Sequence, residues 1–468
     1  MRLIVFISFV VFLVSSCKMG KNFEKVETET DSTYRFNNDS IIMAMSSDSI
    51  AVLDSNGLRW WELFSDPILD SLIYKGLDNN KDVLVALKSI EQAQLAFKIQ
   101  KAEILPEIDV QGSVTRGNYS GFLTNGANSN FYGGAAVNWE IDFWGKYRRL
   151  SESAKADYMA TEYAYQSVQL SLISNITVSY FELLANKTNF EISKRTLAAR
   201  DSSLSIIQEK FDQGIIPEID LNQAQIQKAI AASAVPVYER QISLSENVLS
   251  LLIGSMPKSV DNIKLIHGRN NIPEIPTGLP SELLNRRPDI LLAEQNIVSQ
   301  NALAGAAQAA RFPAISLTGI LGVASSELTG LTGAGLAWNA GASLTAPLFH
   351  FGKNKRRVEV ERVKTEQAIL NYEQTVLNAF KDVEDALVKI KTYKQEMIAR
   401  EYHVKAALNA QNLSRMRYDR GVTSYLEFLE QQRQAFEAQL QLVLAKQRLY
   451  TSYVELYKAL GGGWARPN

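Results

Sequence analysis

Apolar residues recur along this chain in two periods, and the two periods alternate in the same order twice. Ile108, Val110, Gly112 and Val114 take turns with Glu107, Asp109, Gln111, Ser113 and Thr115, the spacing of two that predicts a strand with one wet face. A second run sets Ala135, Val137, Trp139, Ile141 and Phe143 against Asn138, Glu140 and Asp142. Further on, Ile315, Leu317, Leu321 and Val323 alternate with Ser316 and Thr318. Leu336, Trp338, Ala342, Leu344 and Leu348 alternate with Asn339, Ser343 and Thr345. Residues 117–130, rich in Gly, Asn, Ser and Thr, read as a loop. After each strand pair comes a long stretch with no proline, Gly145–Gly214 and Gly352–Gly421, enough for roughly 100 Å of helix at 1.5 Å per residue. In the second, Ile369, Tyr372, Val376, Phe380, Val383, Leu387 and Ile390 step by three or four, an apolar seam of the coiled-coil kind. Return helices are predicted over Glu218–Leu252 and Tyr425–Leu460.

The order recurs because the chain is duplicated at an offset of 207 residues. Pro106 returns as Pro313, Gly112 as Gly319, Gly145-Lys146 as Gly352-Lys353, and Gly254 as Gly461. Phe211-Asp212-Gln213-Gly214 returns as Tyr418-Asp419-Arg420-Gly421. No insertion separates the landmarks, so both copies share element and loop lengths. A period this long excludes a solenoid; each copy is a helix, two strands, a long helix, a tip turn and a return helix.

The strands carry about ten alternating residues each, with Trp139, Phe143, Trp144, Trp338 and Phe349 near their ends, as outer-membrane barrel strands do. A soluble sheet packed on helices is the plainer alternative. Four strands cannot close a barrel, and lipid does not tolerate an open edge. The expected fold is therefore an α+β membrane protein built from two internal repeats, in which three chains of four strands each give the simplest closure, a trimeric 12-stranded β-barrel, followed by long coiled-coil α-helices.

Arg2 and the apolar run Leu3–Val14 read as a signal segment, too short to span a bilayer. Cys17, the only cysteine, follows Val14-Ser15-Ser16 and excludes an internal disulfide. Residues 1–16 are expected to be a lipoprotein signal peptide and 17–57, rich in Ser, Asp, Thr and Asn, a lipidated tether. The first repeat is set at 58–254, a Pro- and Asn-rich crossover at 255–281, and the second repeat with C-terminal residues at 282–468. The 49 Lys+Arg nearly balance 50 Asp+Glu, which gives no basic excess for a nucleic-acid partner. His267, His350 and His403 are scattered, and the glycine-rich stretch around Gly330, Gly333 and Gly335 lacks a phosphate-loop ending. No catalytic constellation, cofactor or metal site is expected.

Gly278–Ile290, with Arg286-Arg287-Pro288-Asp289 inside it, then Ala293-Glu294, Arg311–Gly319, Pro347–Phe349 and Glu427–Gln432, resemble in this order the NodT-type efflux lipoproteins of the TolC-like outer-membrane factors. Placement of Cys17 likewise resembles a bacterial lipobox, which implies cleavage before it and acylation of its sulfur and new amino terminus. The resemblance implies an outer-membrane homotrimer, lipid-anchored at Cys17, with its helical barrel in the periplasm. It would conduct drugs or other small molecules passively, driven by an inner-membrane transporter of the resistance-nodulation-division class through a periplasmic adaptor protein. It also implies a periplasmic gate of Asp220, Tyr418, Glu427 and Glu430, with a Tyr418–Asp220 bond as latch and Thr423 where the best-known secretion members of the family carry a basic residue. Gly214 and Gly421 would mark the tip turns that meet the adaptor. Three apart on one helical face, Glu427 and Glu430 would give a trimer two carboxylate rings. Two other readings stay open, an exit duct for type I protein secretion and a non-conducting structural lipoprotein.

Overall fold

The computed structural model of the 468-residue chain describes residues 18–25, 35, 61, 64–120, 122–261, 265–266, 280–333 and 335–462. Cys17 lies outside them, as do most of the expected tether at 17–57 and much of the crossover at 255–281. The first copy runs α1 (Pro67–Asn79), α2 (Lys81–Ala102), β1 (Glu107–Ser120), β2 (Phe122–Ile141), α3 (Lys146–Asp212) and α4 (Glu218–Leu252). The second runs α5 (Pro280–Arg286), α6 (Pro288–Ala309), β3 (Ala314–Ser325), a 3₁₀ turn (Leu328–Gly333), β4 (Leu336–Thr345), α7 (Lys353–Asp419) and α8 (Tyr425–Ala459). In the long helices the duplication is kept residue for residue: α3 and α7 have 67 residues each, α4 and α8 35 each.

Among the strands, one expectation fails. Residues 117–130 are not a loop but the upper part of a hairpin. β1 and β2 stay paired from Glu107↔Asn138 to Gly117↔Asn128, shift register between Gly117 and Tyr119, and pair again at Tyr119↔Leu123 and Ser120↔Phe122. The ladder uses only backbone groups, and no proline in this stretch removes a donor. A Gly- and Asn-rich composition therefore did not stop the strands.

The chain divides into two compact units. One holds residues 88–163 and 292–374 with the amino-terminal segment, and contains the sheet, antiparallel in the order β1-β2-β3-β4. Register keeps the apolar residues on one face: Ile108 stands opposite Val137, Trp139 opposite Leu317, and Leu321 opposite Trp338. β1 and β4 are open edges, and Val110 on β1 is 93% exposed. Two indoles pin the strand ends to the helical connections. Trp139 Nε1 donates to the Ile104 carbonyl and Trp144 Nε1 to that of Pro313, both at 2.9 Å.

In the same unit, the start of the expected tether is seated rather than free. Arg149 on α3, fully buried, donates from Nε to the Met19 carbonyl at 2.9 Å and from Nη2 to Gly20 at 2.7 Å and Lys21 at 3.2 Å. Its Nη1 reaches Glu152 at 2.9 Å, which also holds Lys18 at 2.7 Å. Gly305 on α6 leaves the room: a Cβ there would stand 2.8 Å from Arg149 Nε. A polar composition suggested slack chain, but three carbonyls and a matching guanidinium make a fixed seat.

The second unit holds α1, α4, α5, α8 and the remaining lengths of the long helices. Asp66 caps α1 by accepting from Ile68 N at 3.0 Å, with Pro67 at the tolerated first position. Its other carboxylate oxygen accepts from the buried Tyr180 hydroxyl. Phe181 stacks on Tyr450 at 4.8 Å, and Phe64 meets both edge-on. Arg287, one of the motif arginines, joins three elements by donating to Asp289, to Asp382 on α7, and to the Ala459 carbonyl that ends α8. Val376, Val383 and Leu387 of the seam are buried, with Ala379 completing it and Phe380 turned partly outward. α3 contains an 18-residue window apolar enough to cross a membrane by composition, but 61% of it is buried inside the protein, so that stretch is core.

All four long helices stop on a left-handed glycine: Gly214, Gly254, Gly421 and Gly461, with φ between +67° and +87°. The next amide reaches back five residues in each, as in Ile215 N to the Lys210 carbonyl and Val422 N to that of Arg417, both 2.9 Å. Space differs between sites. A Cβ at Gly214 or Gly421 meets nothing within 4 Å, whereas at Gly254 it would lie 2.3 Å from the Asn79 carbonyl oxygen. Gly421→Ala is expected to cost about 1–2 kcal/mol, the left-handed penalty alone. Gly254→Ala should cost at least about twice that, because backbone must also move; denaturant unfolding of the two variants checks the order.

Candidate functional site

The turns Asp212–Glu218 and Asp419–Tyr425 bring the predicted tip residues together at one end of the second unit. Ile207, Leu221, Ala224, Tyr425, Phe428 and Leu429 form a buried cluster drawn from α3, α4 and α8, with Phe211, Ile216 and Tyr418 packed on it. Tyr418 lies nearly parallel to Phe428, 8° between planes and 6.0 Å between centroids, and 5.3 Å from Tyr425. This cluster knits the two hairpins, so the tip is an aromatic core before it is a charged rim.

Within the single chain, Tyr418 and Asp220 make no hydrogen bond with each other. Lys210 occupies the face of Tyr418, its Nζ 4.9 Å from the ring centroid and 3.5 Å from the hydroxyl, to which it donates. Asp220 stays in the first turn of α4, where the helix dipole favours an acid. Its charge is felt by Tyr425 instead. Burial, then the neighbouring Tyr418 and Asp220, push the Tyr425 hydroxyl well above the ordinary tyrosine range, with Arg200 opposing.

Glu427 and Glu430 each have a cation from their own chain. Arg417 Nη1 reaches Glu427 Oε1 at 3.2 Å, the Thr423 hydroxyl donates to Glu427 Oε2, and Ser424 caps α8 by accepting from Glu427 N. The Thr423 hydroxyl thus orients the acid, while Arg417 supplies the opposite charge. Glu430 accepts from Arg433 at 2.8 Å and from Gln434 at 2.8 Å, and these two hold its carboxyl down to about 2. Outside the rim, apolar residues stand exposed in repeat-matched pairs, Ile215 with Val422 and Ile219 with Leu426, each near 60% exposed.

Sequence reasoning found the acids, Tyr418 and both glycines, and missed Phe428, Tyr425, Lys210, Arg417 and Arg433. A signal existed for part of this. Arg433 lies three residues after Glu430 on one helix, a spacing that pairs side chains. Lys210 and Tyr418 sit on separate helices, and nothing in the sequence joins them.

The profile of the outer membrane efflux protein family matches residues 72–255 and again 279–462, the second match displaced from the first by the repeat offset. The chain belongs to the outer membrane efflux protein family. Among relatives, the solvent efflux pump outer membrane protein SrpC of Pseudomonas putida is 34% identical over 410 residues, 86% of this chain and 87% of that protein. The CmeC outer membrane channel of Campylobacter jejuni superposes with a TM-score of 0.86 at 27% identity, covering 97% of this chain and 96% of that one. The open-state MtrE outer membrane channel of Neisseria gonorrhoeae gives 0.85 at 28% identity, covering 96% and 98%. This outer membrane efflux protein therefore has the two-repeat fold of efflux channels, and it is the outer-membrane conduit of an efflux pump.

Proposed function

We propose that three copies of this chain make one channel-tunnel, each giving its four strands to a 12-stranded outer-membrane barrel and its helices to a periplasmic tunnel. The observation that carries this is the sheet itself, whose apolar face suits lipid but whose two open edges, with unpaired main-chain groups, cannot rest there until other copies cover them. Acyl chains on Cys17 hold the amino terminus to the outer membrane. At the far end, the turns around Gly214 and Gly421 offer Ile215, Ile219, Val422 and Leu426 to a periplasmic adaptor, behind which an inner-membrane transporter of the resistance-nodulation-division class supplies the energy. Asp220, Tyr418, Glu427 and Glu430 surround the gate, with Tyr418 acting through its ring rather than through a hydroxyl latch.

Reconstitution in a planar bilayer tests the reading: discrete conductance steps from the purified trimer support it, and silence refutes it. In the same recordings, Glu427→Gln with Glu430→Gln should lower the cation-over-anion permeability ratio by about twofold, a small effect because exposed, paired charges interact weakly. The Glu430 share should survive acid. A carboxyl lowered to about 2 keeps its charge until pH falls through that value, so selectivity at pH 4 should still exceed that of a Glu430→Gln channel.

A further inference from the structure

In the first copy, the cations that open α3 are answered within the chain. Lys146 Nζ lies 3.1 Å from Glu140 and Arg148 Nε 3.1 Å from Asp142, both acids preceding the helix at the end of β2. The repeat offset carries these four positions to Lys353, Lys355, Pro347 and Phe349. Duplication kept the cations and lost the acids. Lys353, Arg356 and Arg357 are exposed and have no ion-pair partner among the described residues; Lys355 reaches only Glu359, at 3.7 Å along its own helix. The first turn of α7 has no acid to offset them and meets the wrong end of the helix dipole.

Two acids stand on the opposite edge of the same sheet. Glu107 and Asp109 begin β1, both exposed and without an ion pair among the described residues. Inside the chain, β2 meets β3 with Glu140 opposite Ser316 and Ile141 opposite Ile315. The same register moved on by one repeat sets β4 and its continuation against β1 of another copy. Pro347 then falls opposite Asp109, Leu348 opposite Ile108, and Ala342 opposite Val114. Apolar positions meet apolar positions, covering Leu348 and Val114, which are 97% and 69% exposed in the single chain. The charge changes sides without being lost. The β2–β3 junction has acids on the strand before the helix and neutral Ala314 and Ser316 across from them, and the β4–β1 junction has the reverse.

We infer that β4 docks on β1 of a second copy of this chain in this register, with Lys353 and Lys355 pairing with the partner's Asp109 and the partner's Glu107. This rests on the trimeric reading above and adds to it a register and a charge exchange between protomers.

The test uses the full chain in outer membranes. Ser343→Cys with Ser113→Cys, which face each other in this register, should form disulfide-linked dimers and trimers about tenfold faster than Ser343→Cys with Gln111→Cys or Thr115→Cys, whose Cβ atoms lie beyond bridging distance. Lys353→Glu should lower the temperature at which the trimer dissociates by about 5 °C, and Asp109→Lys added to it should restore that temperature. Faster linking in either displaced pair overturns the register, and a failure of Asp109→Lys to restore stability overturns the charge exchange. In both cases an intact trimer by native mass leaves the channel reading standing; a monomer in the unmutated protein refutes that reading instead.

Discussion

Arg149→Met should lower the stability of the sheet-bearing unit by about 3 kcal/mol and release residues 18–25 from their seat. Methionine nearly matches the volume but donates nothing. The carbonyls of Met19, Gly20 and Lys21 would lose their charged donor, and each such bond contributes on the order of 1 kcal/mol net. The Lys21 carbonyl keeps the Asn301 amide at 3.1 Å, but the carbonyls of Met19 and Gly20 regain hydrogen bonds only by moving into water. Trypsin reads this directly, because Lys21 lies within the seated stretch and Lys25 ends it. Cleavage there should run roughly 100-fold faster in the variant, the ratio that 3 kcal/mol of local opening gives. Unchanged cleavage would show that the seat does not hold the segment. Acid should act in the same direction. Burial works to raise the Glu152 carboxyl, but Lys18 and Arg149 prevail and lower it. Its contribution is present above the ordinary glutamate value and fades as pH falls through the lowered one, so the unmutated seat should loosen in strong acid.

Phe428→Ala should open the tip. Phe428 is 6% exposed, in the cluster that joins α3, α4 and α8, and truncating such a phenylalanine costs about 3 kcal/mol. Tyr418 would lose its stacking partner, and Tyr425 the ring 6.3 Å away. Higher single-channel conductance and sensitivity of cells to large antibiotics are the expected readouts. Tyr418→Phe is the discriminating control. It keeps the ring and removes a hydroxyl whose contact with Lys210 is long, at 3.5 Å, so it should cost less than about 0.5 kcal/mol. If Tyr418→Phe opens the channel while Phe428→Ala does not, a hydroxyl latch holds the tip and the aromatic account is wrong.

Much of the fold was legible because its determinants are local or periodic. The strand alternations, the proline-free lengths of α3 and α7, and the left-handed stops at Gly214 and Gly421 each follow from residues close in sequence. Duplication then doubled every signal. What stayed hidden depends on contacts across long separations. Arg149 is one cation among 49, and only the arrival of carbonyls 130 residues away shows why it is buried. The hairpin of β1 and β2 was hidden for a different reason: its ladder is made of main-chain groups, while Gly- and Asn-rich side chains advertise a loop. At the tip, acids read as bare from sequence are each held by an arginine of their own chain. Lys210 and Tyr418 belong to different repeats, and Arg417 meets Glu427 only because the tip turn folds α8 back on α7.

One departure from the duplication has a mechanical meaning. Inside α4 stands Pro236, and at the matching place in α8 stands Val443, which is fully buried. Proline removes one main-chain donor and crowds the carbonyl a turn earlier. Two otherwise equal return helices therefore differ in bending stiffness, and elastic compliance concentrates in the first hairpin. A load applied at the tip deforms that hairpin first, while the second stays the rigid reference against which it flexes.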